Sequence, residues 1–211
     1  AYDIRLSLVG SEMCIRDSIM TKQQVFDIFG IDDLRLLPEA IGSVILGNRQ
    51  KRDDVYRRLL EANGHDLSRD WFQQVYEDEM SERKKKGQDF TPYELGVICS
   101  QLTDRRGSVH EPTAGNGSMV IADWWERCRR LMPWEHYPSE HMVTCWELSD
   151  RSLPILLLNL SIRGIMGYVY HGDVLEGTVK QKYILLNPTD DTLAFSDIVK
   201  SGTNDMIVKE K

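Results

Sequence analysis

Along the first third of the chain, apolar residues recur at helical spacing. Val25, Ile28 and Phe29 share one face before Gly30, which predicts a first helix ended by that glycine. Leu34 to Leu46 is apolar around Pro38, whose ring suits the first turn of a helix starting near Leu37 and would break one running through it. Val55, Leu59 and Leu60 line one side of 53–62, Arg57 and Arg58 another, and Asn63-Gly64 supplies a stop. Trp71, Phe72, Val75, Tyr76 and Met80 continue the spacing. The same helix carries Glu77, Asp78, Glu79 and Glu82 ahead of Arg83-Lys84-Lys85-Lys86, a sign order that complements the helix dipole. The basic run reads as a solvated helix end, with phosphate contact as the alternative.

From Gln88 the pattern changes to short apolar runs alternating with helices. Val109-His110-Glu111 predicts a strand entering a glycine-rich turn, followed by a helix over 118–131. Met142 to Glu147 predicts a second strand and Ser152 to Arg163 a second helix, with Ser152 as N-cap and Pro154 in the first turn. Tyr168 to His171 and Tyr183 to Leu186 are further strand candidates, while the tail beyond Phe195 signals weakly, with Met206-Ile207-Val208 as one more candidate. Strands alternating with helices predict an α/β fold with a parallel sheet and crossover helices.

Composition narrows this picture. The 211 residues are 41% hydrophobic and 28% charged, enough apolar residue to bury a core. A net charge of −7 argues against nucleic-acid binding by bulk charge, so a DNA partner would need a local basic patch or a part outside this chain. No apolar stretch approaches the length of a membrane span. Four separated cysteines without a C-x-x-C pair point to a reducing cytoplasm, and no His/Glu cluster has metal spacing. Met13 to Ser18 resembles the translation of a sequencing adaptor, which makes residues 1–18 an expected artefact and Met20 the expected start. The remaining cysteines, Cys99, Cys128 and Cys145, are expected as buried apolar residues rather than nucleophiles.

Candidate chemistry gathers at the predicted strand ends. Glu111-Pro112-Thr113-Ala114-Gly115-Asn116-Gly117 joins a strand to a helix, where Gly115 and Gly117 allow close approach and the helix amides favour an anionic group. Glu147 ends the next strand, where a carboxylate can accept hydrogen bonds from both hydroxyls of a ribose. It lies 32 residues beyond Gly115, more than the ~20 typical of dinucleotide sites. The insert 133–140 accounts for the excess. Asp173 ends the third strand and can accept from an exocyclic amine. Each acid alone reads as a loop or capping residue; three polar strand ends in order read as a site.

These motifs resemble those of adenine-N6 DNA methyltransferases, the group that includes modification subunits of type I restriction systems. Gln88-Asp89-Phe90-Thr91-Pro92 is similar to the G-Q-[FY]-[FY]-T-P signature, and 111–117 is similar to the D-P-A-C-G-S-G loop that binds S-adenosylmethionine. Glu147 matches the ribose acid, Asn159-Leu160 to Gly164 the following N-L-x-x-x-G, and Gly172-Asp173 the acid near the cofactor adenine. Asn187-Pro188 falls where the family carries its catalytic [DN]-P-P-[YF]. The likeness covers roughly residues 88–190. It implies a Rossmann-like S-adenosylmethionine-dependent methyltransferase core over 88–199, preceded by a helical region over 19–87 and followed by a tail or partial strand over 200–211.

The resemblance further implies methyl transfer to N6 of a flipped adenine in DNA, in a restriction–modification or phage setting. Phe90, Thr91, Pro92, residues 111–117, Glu147 and Asp173 would bind the cofactor. Asn187 would polarise the amine and Pro188 would stiffen the loop. Partners would be DNA, reached through a recognition part outside this chain, and a specificity subunit.

The catalytic segment departs from the pattern. Thr189 and Asp190 follow Pro188 in place of proline and an aromatic residue. Four strands can be traced before residue 187 where such a sheet has seven, so the chain is expected to be a fragment. Two rival readings stand beside the enzyme. One is a non-catalytic module that binds S-adenosylmethionine or a partner, and the other is methylation of RNA or protein amines. An NAD-type site is disfavoured because its third glycine would fall at Val120. Trp124, Trp125 and Trp134 could form a base-stacking platform, but the first two sit among apolar residues as core would.

Overall fold

The computed structural model describes residues 20–73, 91–103 and 107–202. Residues 1–18, Phe90, the run Arg83-Lys84-Lys85-Lys86 and the strand candidate Met206-Ile207-Val208 lie outside them, as does most of the helix expected over 71–80. Three helices open the described chain: α1 (Lys22–Phe29), α2 (Leu37–Ile45) and α3 (Arg49–Ala62). A capping box between Thr21 and Gln24 starts α1, and Gly30, at φ 67°, ends it in the left-handed conformation. Pro38 occupies the first turn of α2, where its missing N–H costs nothing.

The sheet layer follows as α4 (Tyr93–Leu102), β1 (Val109–Glu111), α5 (Ser118–Cys128), β2 (Val143–Glu147), α6 (Ser152–Ile162), β3 (Gly167–Asp173), β4 (Thr178–Leu186) and β5 (Asp197–Lys200). The strands lie in the order β1-β2-β3-β4-β5. β1, β2 and β3 are parallel, joined by the crossover helices α5 and α6, as the alternation of patterns predicts. β4 and β5 instead run antiparallel, which corrects the expectation of parallel pairing throughout. Only residues 174–177 join β3 to β4, far short of the dozen a parallel crossover needs. A bulge between His171 and Gly172 adjusts the hairpin register. A Cβ on Gly172 would strike the Thr178 carbonyl, so strand packing accounts for that glycine.

The expected cap of α6 also moves. Ser152 is already helical, and Ser149 Oγ accepts from the Arg151 and Ser152 amides instead. Among the cysteines, Cys145 is buried as expected, but Cys99 is exposed.

One apolar core runs through both layers, joining Leu37, Ile41 and Tyr56 to Leu156, Leu160 and Leu185. Arginines fasten the layers, Arg49 on α3 among them at 3.4 Å from Asp197. Arg52 on α3 reaches Asp197 at the start of β5 at 2.9 Å. Arg163, 1% exposed at the end of α6, donates to the Leu67 and Arg69 carbonyls at 2.9 and 2.6 Å and to the Asn159 carbonyl at 2.7 Å. Burial pulls the Arg163 pKa down to about 10, so the guanidinium stays charged at neutral pH. No described helix is long and apolar enough to cross a membrane.

Candidate functional site

The parallel half of the sheet brings the C-terminal ends of β1, β2 and β3 together, with Glu111 beside Cys145 and Glu147 beside His171. Loops leaving this edge carry the glycine motif, Glu147 and Asp173. The glycine loop is held from beneath and from the side. The Ala114 amide donates to the Trp146 carbonyl at 2.8 Å, continuing the strand ladder into the turn. The Gly115 amide donates to Glu147 Oε2 at 2.7 Å, and the Ser149 amide to Oε1 at 2.7 Å. Glu147 thus locks two loops with charge-assisted bonds and keeps a lone pair on each oxygen.

The two glycines have different reasons. Gly115 has φ 56° and open space where a Cβ would stand, so a ligand can approach its backbone. Gly117, at φ 94°, would place a Cβ 2.9 Å from Leu156 Cδ1. Its bareness lets α5 start against α6. No side chain caps α5, leaving its first amides to whatever meets the loop.

The other proposed cofactor residues behave unequally. Glu111 Oε1 accepts from the Thr113 amide at 3.1 Å, a local turn, and Pro112 and Thr113 are exposed. Ala114 and Asn116 are buried. Asp173 Oδ1 accepts from the Leu175 and Glu176 amides at 2.9 and 3.2 Å, leaving Oδ2 for another donor. Thr91 and Pro92 are exposed at the start of α4. That helix packs against α5, Gly96 lying against Ala122 and Ser100 bonding Asp123 at 2.9 Å.

Two further residues shape the site. Asn159, fully buried on α6, donates to the Asn116 carbonyl at 2.9 Å and to Asp70 Oδ1 at 2.9 Å. Asp70 also caps the helix beginning at residue 71 through the Phe72 amide at 3.0 Å. Burial pushes the Asp70 carboxyl upward, while Asn159, the Phe72 amide and the Arg163 charge pull the other way. Asn159 entered the sequence reading only through the family resemblance, and Asp70 carried no signal: its partner is 89 residues away.

Asn187 and Pro188 lie elsewhere. Because β4 runs antiparallel, its C-terminal end falls beside the start of β3, with Leu185 opposite Gly167. From there to the end of β2, marked by Glu147 beside His171, is four residues of strand, roughly 13 Å. Asn187 Nδ2 donates to the carbonyls of Gly164, Asp191 and Ala194 at 3.1, 2.8 and 3.3 Å, and its Oδ1 accepts from Thr189 Oγ1 at 3.0 Å. Its amide N–H groups are thus spent on carbonyls of its own loop and of the turn before β3. Asp190, in the left-handed region at φ 49°, holds Ser139 through both its amide and hydroxyl at 2.8 and 2.7 Å. Of the tryptophans, Trp124 is buried, Trp125 half-buried and Trp134 exposed, so they form no common platform.

No protein-family model and no curated protein matches the chain. Several solved structures resemble it, and two illustrate the likeness. One, assigned as a class I S-adenosylmethionine-dependent methyltransferase from Listeria monocytogenes, is 12% identical with a TM-score of 0.43, covering 72% of this chain and 53% of its own. The other, a type I restriction-modification system methyltransferase subunit from Streptococcus thermophilus, is 17% identical with a TM-score of 0.35, covering 73% and 36%. The chain spans about half or less of their length. Likeness at this level leaves function to be read from the site itself.

Proposed function

We propose that this chain binds S-adenosylmethionine across the C-terminal ends of β1, β2 and β3, as the cofactor-binding part of a methyltransferase of the adenine-N6 DNA type. The observation that carries the reading is Glu147. It holds the Gly115 amide and the Ser149 amide yet keeps lone pairs for a ribose, beside the open space over Gly115. Asp173 Oδ2 would accept from an adenine amine, and the uncapped start of α5 would suit the cofactor carboxylate. The bound cofactor would supply an already activated methyl group on a sulfonium. The chain's contribution is then to orient it, which is where much of the rate in such a transfer arises.

Asn187 lies at the opposite edge of the sheet with its amide engaged. That observation favours a second reading, a module that binds the cofactor and leaves the acceptor chemistry, DNA recognition and any specificity subunit to other parts. Calorimetry and a radiolabelled transfer assay on unmethylated adenine-containing DNA separate the readings. The expected result is measurable S-adenosylmethionine binding, weakened by about 1–3 kcal/mol in Glu147→Ala, with no methyl transfer by the chain alone. Unchanged affinity in Glu147→Ala would remove the ribose assignment. Transfer by the isolated chain would reinstate the catalytic reading.

A further inference from the structure

At the far edge, where α5 and α6 end, a partly open pocket lies between the two layers, lined by Leu60, Leu67 and Ile162 together with aromatic residues. Trp124, Trp125 and Phe195 supply broad apolar walls, and among the described residues no Asp, Glu, Lys or Arg lines it. Three polar side chains of the lining hold buried polar atoms without a hydrogen-bond partner: His65 through Nδ1, His136 and Thr192. His136 is 2% exposed, and neither ring nitrogen has a hydrogen-bond partner. Thr192 is 8% exposed, and its hydroxyl has no partner beyond a weak approach to the Cys128 thiol. Burying such groups unpaired is costly, and a ligand that satisfies them recovers that cost.

The chemistry of the lining selects the ligand. Burial, with His141 and Arg127 nearby, pulls the His136 pKa down to about 4, so at neutral pH the ring is uncharged. A neutral imidazole offers one N–H donor and one bare nitrogen acceptor, and the threonine hydroxyl can serve as either. Uncharged walls disfavour an ionic ligand, which would be desolvated without compensation. Aromatic walls favour a flat one.

We propose that this cavity binds a small, uncharged, bicyclic heteroaromatic compound with a hydrogen-bond donor and acceptor on one edge, the ring system resting on Trp124 and Trp125 and the polar edge meeting His136 and Thr192. The site is separate from the glycine loop and stands whether or not S-adenosylmethionine binds there.

Benzimidazole and indene test this, being alike in shape but differing in the polar edge. Both are titrated into the full chain at pH 7.5, followed by tryptophan fluorescence and calorimetry. Benzimidazole should bind at least tenfold more tightly than indene. That preference should shrink to within threefold in Thr192→Val and in His136→Leu, with folding of each variant checked by circular dichroism. Thr192→Val is nearly isosteric and keeps the test intact if His136→Leu does not fold. Equal affinity for the two compounds would overturn the proposal, as would no benzimidazole binding at 1 mM, the result expected if only water occupies the cavity. Retention of the full preference in folded variants would overturn it too.

Discussion

The two edges of the sheet solve the same problem, ending strands in polar loops. Carboxylates serve both, Asp190 holding Ser139 at the far edge, but the residue that closes the strand end differs. At the glycine-loop edge, carboxylates do the fastening: Glu147, Asp173 and Asp70 each accept backbone amides. At the far edge the central fastener is neutral. Asn187 closes its loop with an amide donating to three carbonyls, and beside it lies a cavity containing an uncharged histidine. A carboxylate can take two backbone donors and still accept from a ligand. The Asn187 amide has no hydrogen left to donate to one. The difference teaches that the first edge is organised to receive polar groups and the second to shut them away.

The sharpest way to break this contrast is to remove the arginine on which the first edge depends. Arg163 supports Asn159 and offsets the buried charge of Asp70, while tying α6 to the chain around Leu67 and Arg69. Arg163→Met leaves those carbonyls and the carboxylate uncompensated. Urea unfolding should show a loss of about 3–5 kcal/mol. A loss below 1 kcal/mol would mean that the layers are held by their apolar core alone.

Much of this arrangement was legible wherever the signal is local. Pro38 marks the start of α2, and the strand at Val109–Glu111 stands at its predicted place, because sterics and short apolar runs decide both. The hairpin was missed for a local reason as well. The predicted fourth strand was sized by its apolar end, Tyr183–Leu186, whereas the half from Thr178 to Lys182 is largely polar, with Thr178 and Lys180 exposed. Once the strand begins at Thr178, no room remains for a crossover, and Asn187 moves to the opposite edge. The glycine loop and Glu147 were visible as a motif, but the bond between them was not, since it closes only when β1 and β2 pair. Asp70 was invisible among the polar residues of a loop, and only the packing of α6 gives it a role.

Asn159 probes the first edge directly. Asn159→Ala removes the donor to both Asn116 and Asp70, leaving Asp70 buried with fewer partners. A stability loss of about 2–3 kcal/mol is expected, most of it the penalty of unpaired buried groups. Because Asn116 belongs to the glycine loop, affinity for S-adenosylmethionine should fall as well. Calorimetry showing unchanged affinity in a folded Asn159→Ala protein would detach the α6 contact from the cofactor loop.

The far edge has its own signature in pH. Burial depresses His136 from 6.5 to about 4, so below pH 6.5 the unfolded chain takes up a proton that the native state refuses. Stability that is fully present above pH 6.5 should therefore decline as pH falls toward 4 and level off below. The contribution is about 2 kcal/mol across that window. His136→Leu should flatten this part of the profile relative to wild type in chemical denaturation at a series of pH values. Identical profiles would mean that the histidine ring titrates alike in the native and unfolded states.

The smallest expected effect decides the most about the two edges. In Asn187→Ala the loop loses its donor to Gly164, Asp191 and Ala194, all close in space and partly able to turn to water, so a stability loss of about 1 kcal/mol is expected. S-adenosylmethionine affinity should stay within error of wild type, since roughly 13 Å of strand separates the residue from Glu147. The family resemblance makes a different prediction, an Asn beside the transferred methyl whose loss disturbs the cofactor site. Calorimetry on Asn187→Ala, set beside Glu147→Ala, distinguishes them. If both substitutions weaken the cofactor equally, β4 must leave its antiparallel place beside β3 when cofactor binds, because no motion confined to the 187–196 loop spans that distance.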